Sequence, residues 1–482
     1  MILRLVFFSL FVSVVCGQGA KRPNVLMIFV DDLRPALGCY GDPLAKTPNI
    51  DRFARTARQF NRAYCNQAVC GPSRANILTG RLPDNTHVWH NRNLFRDVHP
   101  DLITLPQLFK NDGWHAVALG KVFSGNEKEL DPASWSEPEI LRREGWKNYL
   151  LRKGGGPKKG APFEKADVPD DGYTDGKLAN LAIRRLASLQ QRKQPFFLAV
   201  GFFKPHLPFN APKKYWDWHD PKDFALAGTP SRARGASDVA YPDQMELGGY
   251  QGVPKNEEVS NRQARELRRG YYACVSYVDT QVGRLLDGLE SLRLNDNTIV
   301  LLLGDHGFSL GEAGHWCKKT NFELDTHVPL LMRSPDMKHP GAATKAMVEY
   351  TDLYPTLAEL AGLNSPADLD GRSFANLLVD PDGRGRDVVL SQHSRPWSTG
   401  EPKIMGYSIR TEDHRYTRWI EWETRKAFSE ELYDYRASAS VAVQEKYLIE
   451  IANVEDEKRY AQRRNVMRER MDKVLRARVP VR

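Results

Sequence analysis

The sequence predicts an α/β fold: a mixed sheet flanked by helices, with a smaller C-terminal α+β subdomain. Three observations carry this. Continuous apolar runs that end in polar residues occur at P-N-V-L-M-I-F-V-D-D, P-F-F-L-A-V-G-F-F-K-P-H and N-T-I-V-L-L-L-G-D-H-G, the pattern of buried strands in a largely parallel sheet. Helix-period stretches lie between them, T-D-G-K-L-A-N-L-A-I-R-R-L-A-S-L and Y-Y-A-C-V-S-Y-V-D-T-Q-V-G-R-L-L-D-G-L, so strand and helix alternate. Towards the C-terminus the pattern changes to short strand-like pieces, K-I-M-G-Y-S-I-R-T and R-Y-T-R-W-I-E-W, which predict a small antiparallel sheet closed by a helix. A chain of 482 residues is also too long for one compact core, which favours a large domain plus a small one.

Taken in order, residues 1–20, M-I-L-R-L-V-F-F-S-L-F-V-S-V-V-C-G-Q-G-A, place Arg4 before an apolar run and small residues after it, the layout of a secretory signal peptide. Val15 is bulkier than the residue a lipoprotein site takes before its cysteine, so simple cleavage is expected rather than lipidation of Cys16. No later stretch approaches the ~20 apolar residues of a membrane helix, so an exported protein without a transmembrane segment is expected. The first strand ends in Asp31 and Asp32. Neighbouring residues of a strand face opposite ways, so both serve one site only if the strand ends between them, and the following Leu-Arg-Pro predicts that ending. C-G-P-S-R-A-N-I-L-T-G-R then runs from Cys70 to Arg81. Lys121 follows in L-G-K-V-F, and R-K-G-G-G-P-K-K-G-A-P reads as a plain surface loop, since it lacks the spacing of a phosphate cradle. His206 sits in K-P-H-L-P, and Asp305 and His306 close the third strand. After the helix Y-T-D-L-Y-P-T-L-A-E-L-A-G-L, the stretch D-P-D-G-R-G-R-D reads as a linker. This divides the chain into a catalytic domain over 21–380 and a C-terminal subdomain over 381–482.

Composition narrows the function classes. The formal net charge of +9, with 41% hydrophobic and 27% charged residues, suits a globular protein that attracts anions. Basic stretches such as R-R-N-V-M-R-E-R read as the solvated face of a helix, and no nucleic-acid partner is expected. Six cysteines, Cys16, Cys39, Cys65, Cys70, Cys274 and Cys317, are too few and too scattered for a disulfide framework. In an open α/β sheet, ligands sit beyond the carboxyl ends of the strands, and three strands here end in acids and histidines. Asp31, Asp32 and Asp305 with His306 make an oxygen-rich set with one nitrogen, suited to a hard cation such as calcium rather than to zinc. Taken singly, an Asp-Asp pair reads as a solvated turn, Lys121 as a surface lysine and His206 as a residue packed in a turn.

The Cys70 stretch changes that balance. A cysteine followed by Pro72, Ser73 and Arg74, then by Thr79-Gly80-Arg81, resembles the signature of the type I sulfatases, in which the cysteine is oxidised to formylglycine. The resemblance extends over nearly the whole chain past residue 20 and is nearest to the iduronate-2-sulfatases, through V-D-D-L-R-P-A-L-G-C-Y-G, G-K-V-F, F-F-L-A-V-G-F-F-K-P-H-L-P-F, S-Y-V-D-T-Q-V-G-R-L-L and M-G-Y-S-I-R-T-E-D-H-R-Y-T. It implies an alkaline-phosphatase-like α/β domain with a small C-terminal subdomain. It also implies calcium ligation by Asp31, Asp32, Asp305, His306 and the modified Cys70, sulfate contacts from Lys121 and Lys318, and an aldehyde hydrate held by Arg74. Asp305 would deprotonate the attacking hydroxyl and His206 would protonate the departing sugar oxygen. Ser73 would shape the motif rather than act as a nucleophile. The implied partners are a sulfated glycan, with a 2-O-sulfated uronic acid as substrate, and a formylglycine-generating enzyme. Two departures stand out. G-K-V-F-S-G puts Ser124 where the iduronate group has a histidine, and E-L-Y-D-Y-R-A-S-A-S lacks the Asp-Pro and Glu pattern common there. Two rivals are a phosphodiesterase or phosphonate monoester hydrolase of the same superfamily, and a catalytically silent sulfated-glycan-binding protein.

Overall fold

The apolar runs form the centre of a mixed sheet in the computed structural model, which describes residues 22–479 apart from 125–129, 141–145, 152–159, 243–245, 256–257, 398–399 and 437–447. Residues 1–20, most of the basic Gly/Pro loop and the end of E-L-Y-D-Y-R-A-S-A-S lie outside the described residues. The strands are β1 (Asn24–Val30), β2 (Arg58–Tyr64), β3 (His115–Gly120), β4 (Phe196–Phe202), β5 (Thr298–Gly304), β6 (His327–Val328), β7 (Leu330–Arg333) and β8 (Ala343–Glu349). β1 lies between β4 and β5, parallel to both, and β3 runs parallel to β4 at one edge. On the other side β7 is antiparallel to β5 and β2, β6 is antiparallel to β2, and β8 pairs with β2 in parallel. Pro329 separates β6 from β7 because proline has no N–H to give the ladder.

Every residue of β1, β4 and β5 is buried, as expected for strands covered on both faces. Leu26, Ile28 and Val30 face one layer, built largely by the helices α3 (Thr174–Gln190) and α4 (Asn261–Ser291) through Leu178, Leu186, Tyr271 and Val275. Val25, Met27 and Phe29 face the other, built by α1 (Cys70–Thr79), α2 (Leu105–Asn111) and α5 (Leu353–Leu360) through Ile77, Phe109 and Leu357. Each fully buried side chain of this size contributes about 1.5–3 kcal/mol. α2 starts on a capping box in which Thr104 and Gln107 satisfy each other's backbone N–H. α1 stops at Gly80, whose φ of +66° and N–H bond to the Asn76 carbonyl end the helix.

The C-terminal part is an antiparallel sheet of β9 (Val389–Arg395), β10 (Ile404–Arg410), β11 (His414–Glu421) and β12 (Ala427–Asp434), covered by α6 (Ala461–Arg478). Met467 and Met471 of α6 pack on Tyr407, Ile409 and Tyr416, and Leu82 and Trp89 from the main body join the same cluster. No helix among the described residues is long and apolar enough to cross a membrane. The cysteines Cys39, Cys65, Cys70, Cys274 and Cys317 are free.

Candidate active site

β1 ends at Val30, and the backbone then turns. Asp31 still follows the strand, donating its N–H to the Phe202 carbonyl at 3.3 Å, while Asp32 has a φ of +61°. That left-handed conformation costs a residue other than glycine roughly 1–3 kcal/mol, and such strain collects at functional sites. Its effect is to bring both carboxylates into one pocket. The Lys121 Nζ lies 2.5 Å from Asp31 and the Lys318 Nζ 2.7 Å from Asp32. Asp305, just past β5, accepts from the Asp32 N–H at 2.9 Å, and His306 Nε2 lies 3.3 Å from Asp32 Oδ1.

Cys70 opens α1 beneath these groups. Its Sγ is 3.4 Å from Lys121 Nζ, 3.3 Å from His306 Nε2 and 3.9 Å from Asp32 Oδ1. Arg74, one helical turn further on, donates to Asp31 at 3.0 Å and to Asp305 at 2.8 Å, and also holds the Lys121 and Val122 carbonyls. The Ser73 hydroxyl donates to the Asp305 carbonyl. The guanidinium of Arg74 therefore braces two carboxylates and a strand end, and among the described residues its bonding partners do not include Cys70.

Lys121 is placed by a close crossing. Its N–H donates to the Gly201 carbonyl at 2.8 Å, and a Cβ at Gly201 would stand 1.8 Å from the Lys121 carbonyl oxygen, so only glycine lets β3 and β4 end together here. Lys318 sits between Cys317 and Lys319, which have φ of +76° and +86°, a tightly turned loop that aims the ammonium inward. His206 completes the group: one oxygen or sulfur from Asp31, Asp32 and Cys70 and one nitrogen of His206 lie within 4.8 Å of one another, and Cys70, Asp305 and His306 form a second such set. Every residue of the expected site is thus brought together and buried.

The electrostatics follow from that burial. Burial alone would raise the Asp305 carboxyl, but His306, Arg74 and Lys121 outweigh it and hold it well below the usual carboxylate range. Asp31 is likewise lowered by Lys121 and Arg74 against burial. Asp32 is raised to about 6, because burial and the neighbouring Asp31 exceed the help of Lys318 and His306. Burial and Asp31 push the Cys70 thiol well up. Burial, then Lys318, hold His206 well below its ordinary value, with Glu246 and Asp31 acting the other way. Three carboxylates and an imidazole converging in a dry pocket match the donor chemistry of a hard divalent cation, so the residues present fit such an ion.

Sequence reasoning missed Glu246. Its carboxylate lies 3.1 Å from Lys318 Nζ and 3.4 Å from His206 Nε2, yet it comes from an irregular stretch with no period or motif to single it out. Asn91 was missed as well: its side-chain oxygen accepts from the Gly71 N–H at 2.9 Å, and its carbonyl faces the Ser124 hydroxyl at 3.5 Å. Ser124 therefore lies at the edge of the motif, beside the residue after Cys70.

A mixed sheet with buried acids and cations gathered at the ends of β1, β3, β4 and β5 is the architecture of an alkaline-phosphatase-like hydrolase. Residues 23–363 match the sulfatase family model, and residues 311–477 match the model described as N-sulphoglucosamine sulphohydrolase, C-terminal. The chain belongs to the sulfatase family and is a sulfuric ester hydrolase. It is 37% identical over 467 residues to iduronate 2-sulfatase of Homo sapiens, spanning 82% of this chain and 85% of that protein. To a sulfatase of Formosa agariphila it is 29% identical over 441 residues, spanning 86% and 82%. In fold it resembles a structure solved with its substrate D-glucosamine-2-N,6-O-disulfate, with a TM-score of 0.76 at 21% identity over 95% of this chain and 98% of that one. The phosphonate monoester hydrolase of Agrobacterium radiobacter gives 0.78 at 22% identity over 95% and 96%.

Proposed function

We propose that the protein removes sulfate from a sulfated glycan, with a 2-O-sulfated uronic acid as its substrate, after export and after oxidation of Cys70 by a formylglycine-generating enzyme. The observation that carries this reading is the convergence of Cys70 with Asp31, Asp32, Asp305, His306, Lys121, Lys318 and His206 in one buried pocket. The likeness to iduronate 2-sulfatase supports the uronic acid, and the net charge of +9 agrees with an anionic substrate. On this reading residues 21–380 carry the chemistry and residues 381–482 form the supporting subdomain.

Formylglycine at position 70 would supply a geminal diol, one hydroxyl to attack sulfur and a second on the same carbon to release sulfate afterwards. Asp31, Asp32, Asp305 and His306 would hold calcium, which offsets the negative charge of the sulfate. Lys121 and Lys318 hold the sulfate oxygens with their ammonium groups, fixed in a water-poor pocket where such contacts are strongest. Arg74 is a positioning residue, locking Asp31 and Asp305 in place. Asp305 accepts the proton of the attacking hydroxyl. The His206 Nδ1 faces the Leu207 carbonyl at 2.5 Å, which turns Nε2 towards the pocket; the Glu246 carboxylate 3.4 Å from Nε2 favours the imidazolium, and that form would give its Nε2 proton to the departing sugar oxygen and be left as the neutral ring.

The test has two parts. The mass of the peptide containing Cys70 reads the modification directly, and an unmodified thiol in active protein removes the proposed chemistry. Sulfate release is then compared among 2-O-sulfated uronic acid, 6-O-sulfated hexosamine and sulfated galactose or fucose oligosaccharides. A much higher kcat/KM on a neutral sugar overturns the uronic acid assignment. An aryl phosphodiester cleaved faster than an aryl sulfate moves the reaction to phosphorus.

A further inference from the structure

Lys204 has no part in the chemistry proposed above, yet it is a buried cation two residues past the end of β4, only 5% exposed. Its Nζ donates to three main-chain carbonyls, those of Pro208 at 2.6 Å, His206 at 2.8 Å and Trp146 at 3.2 Å. An ammonium has three N–H protons and no acceptor, so these three carbonyls satisfy it completely, as a charge taken out of water requires.

What the three carbonyls have in common is His206. One is its own, and that of Pro208 lies two residues on, so the ammonium draws K-P-H-L-P into a loop around itself. The third belongs to Trp146, 58 positions before Lys204 in the chain, whose indole packs against the His206 imidazole with ring centroids 5.1 Å apart. Asn210 closes the same seam by donating to the Lys147 carbonyl at 2.9 Å. The base of the loop is fixed in turn: Asp175, in the first turn of α3, accepts from the Phe203 and Lys204 N–H groups at 2.9 and 2.8 Å. The imidazole is thus held through its backbone, at Nδ1 by the Leu207 carbonyl and on one side by the indole. One ring nitrogen is left within 4.8 Å of donor atoms of Asp31, Asp32 and Cys70. Such placement matters because a proton donor acts only within about 2.6–3.2 Å of the atom it serves, and a shift of about 1 Å can cost on the order of 100-fold in rate.

Resting on the proposed role of His206, we infer that Lys204 is a positioning residue: its buried ammonium ties the His206 loop to Trp146 and so sets where the imidazole stands when the S–O bond of the ester breaks. In that step the bonding pair goes to the departing oxygen, which takes the Nε2 proton and leaves as an alcohol, and the ring is left neutral. Lys204 itself neither gives nor takes a proton.

The experiment takes the full-length enzyme, Lys204→Met, His206→Ala and the double variant along a series of aryl sulfates from phenyl to 4-nitrophenyl sulfate, with thermal unfolding as a check on folding. Nitrophenolate departs as a stable anion and needs no proton, whereas phenolate gains from one. Losing the aim of the acid therefore slows the poor leaving group selectively, while a general slackening of the fold slows both alike. Expected for Lys204→Met is a kcat lowered about 10- to 100-fold on phenyl sulfate, little change on 4-nitrophenyl sulfate, an unchanged KM on both, and no further loss when it is added to His206→Ala. Equal losses along the series, or losses that multiply in the double variant, overturn the inference. If His206→Ala shows no dependence on the leaving group, the acid role falls and this inference with it; a steep series for His206→Ala beside a flat one for Lys204→Met overturns the inference alone. Because the substrates are aryl esters, the series reads Lys204 even if no sugar sulfate is cleaved, the result that sinks the glycan assignment. Should Lys204→Met fail to fold, Trp146→Ala takes its place, since Trp146 is half-buried and keeps its carbonyl for Lys204. The same selective loss then supports the arrangement, and an even loss along the series overturns it.

Discussion

At the scale of single residues, the site depends on a few backbone and charge decisions. Asp32 accepts a left-handed φ so that its carboxylate can join that of Asp31, and Asp32→Asn leaves that geometry in place while removing one anionic donor. Calcium affinity and sulfate release should fall together, read by calcium titration and by turnover, and full activity after exhaustive chelation contradicts the site. Cys70 is nearly fully buried but touches chiefly polar groups. Cys70→Ala is therefore expected to abolish sulfate release with a melting temperature within a few degrees of wild type, and substantial residual turnover sinks the mechanism. The Ser124 hydroxyl makes a long 3.5 Å contact to the Asn91 carbonyl among the described residues. Its replacement by alanine should change kcat/KM less than about tenfold, the equivalent of one ordinary hydrogen bond.

At the scale of elements, two crossings position the chemistry. Gly201 on β4 lets the Lys121 backbone pass at a distance no side chain permits. Gly201→Ala should cost about 1–3 kcal/mol of stability from overpacking and, with Lys121 in its proposed role, lower kcat as the ammonium moves away from Asp31 and Cys70, measured by urea unfolding beside turnover. The second crossing is the Arg34–Glu312–Arg268 cluster between the loop after β1, the loop after β5 and α4. Burial raises the Glu312 carboxyl, but Arg34 and Arg268 outweigh it and bring it from 4.5 down to about 2. A folded-state value below the unfolded one gives stability that is present above pH 4.5 and lost as pH falls towards 2, and 2.5 units correspond to about 3 kcal/mol. Glu312→Gln should remove that stability at pH 7 and flatten the fall between pH 5 and 3. An unfolding free energy with the same slope as wild type contradicts the assignment.

At the scale of the whole molecule, the C-terminal sheet is tied to the main body by charge as well as by apolar contact. Glu323 is buried between Arg410 at 2.9 Å and Arg415 at 2.7 Å and accepts from the Tyr64 hydroxyl at 2.9 Å. The Gln392 N–H donates to the Asn66 carbonyl at 2.7 Å, and Asn66 returns a bond to Leu390 at 2.8 Å. Removing one partner of such a buried charge network costs about 3–5 kcal/mol. Glu323→Gln is expected to lower the melting temperature while calorimetry still shows a single transition, and two separated transitions would show that the parts unfold independently.

The sequence by itself determined the alternating strands and helices, the two carboxylates at the end of β1, the Cys70 motif and the acid and histidine after β5. Those features are local: periodicity, strand-end chemistry and a contiguous signature are all written within a dozen residues. His206 at the end of the apolar run of β4 was legible in the same way, whereas Lys121 and Lys318 came through resemblance rather than through any pattern of their own. Only the tertiary structure decided that Arg74 braces Asp31 and Asp305, that Glu246 stands between Lys318 and His206, and that Arg34 and Arg268 share Glu312 across 278 and 44 positions of chain. Contacts at such separations leave no periodic trace, because they depend on where whole elements dock.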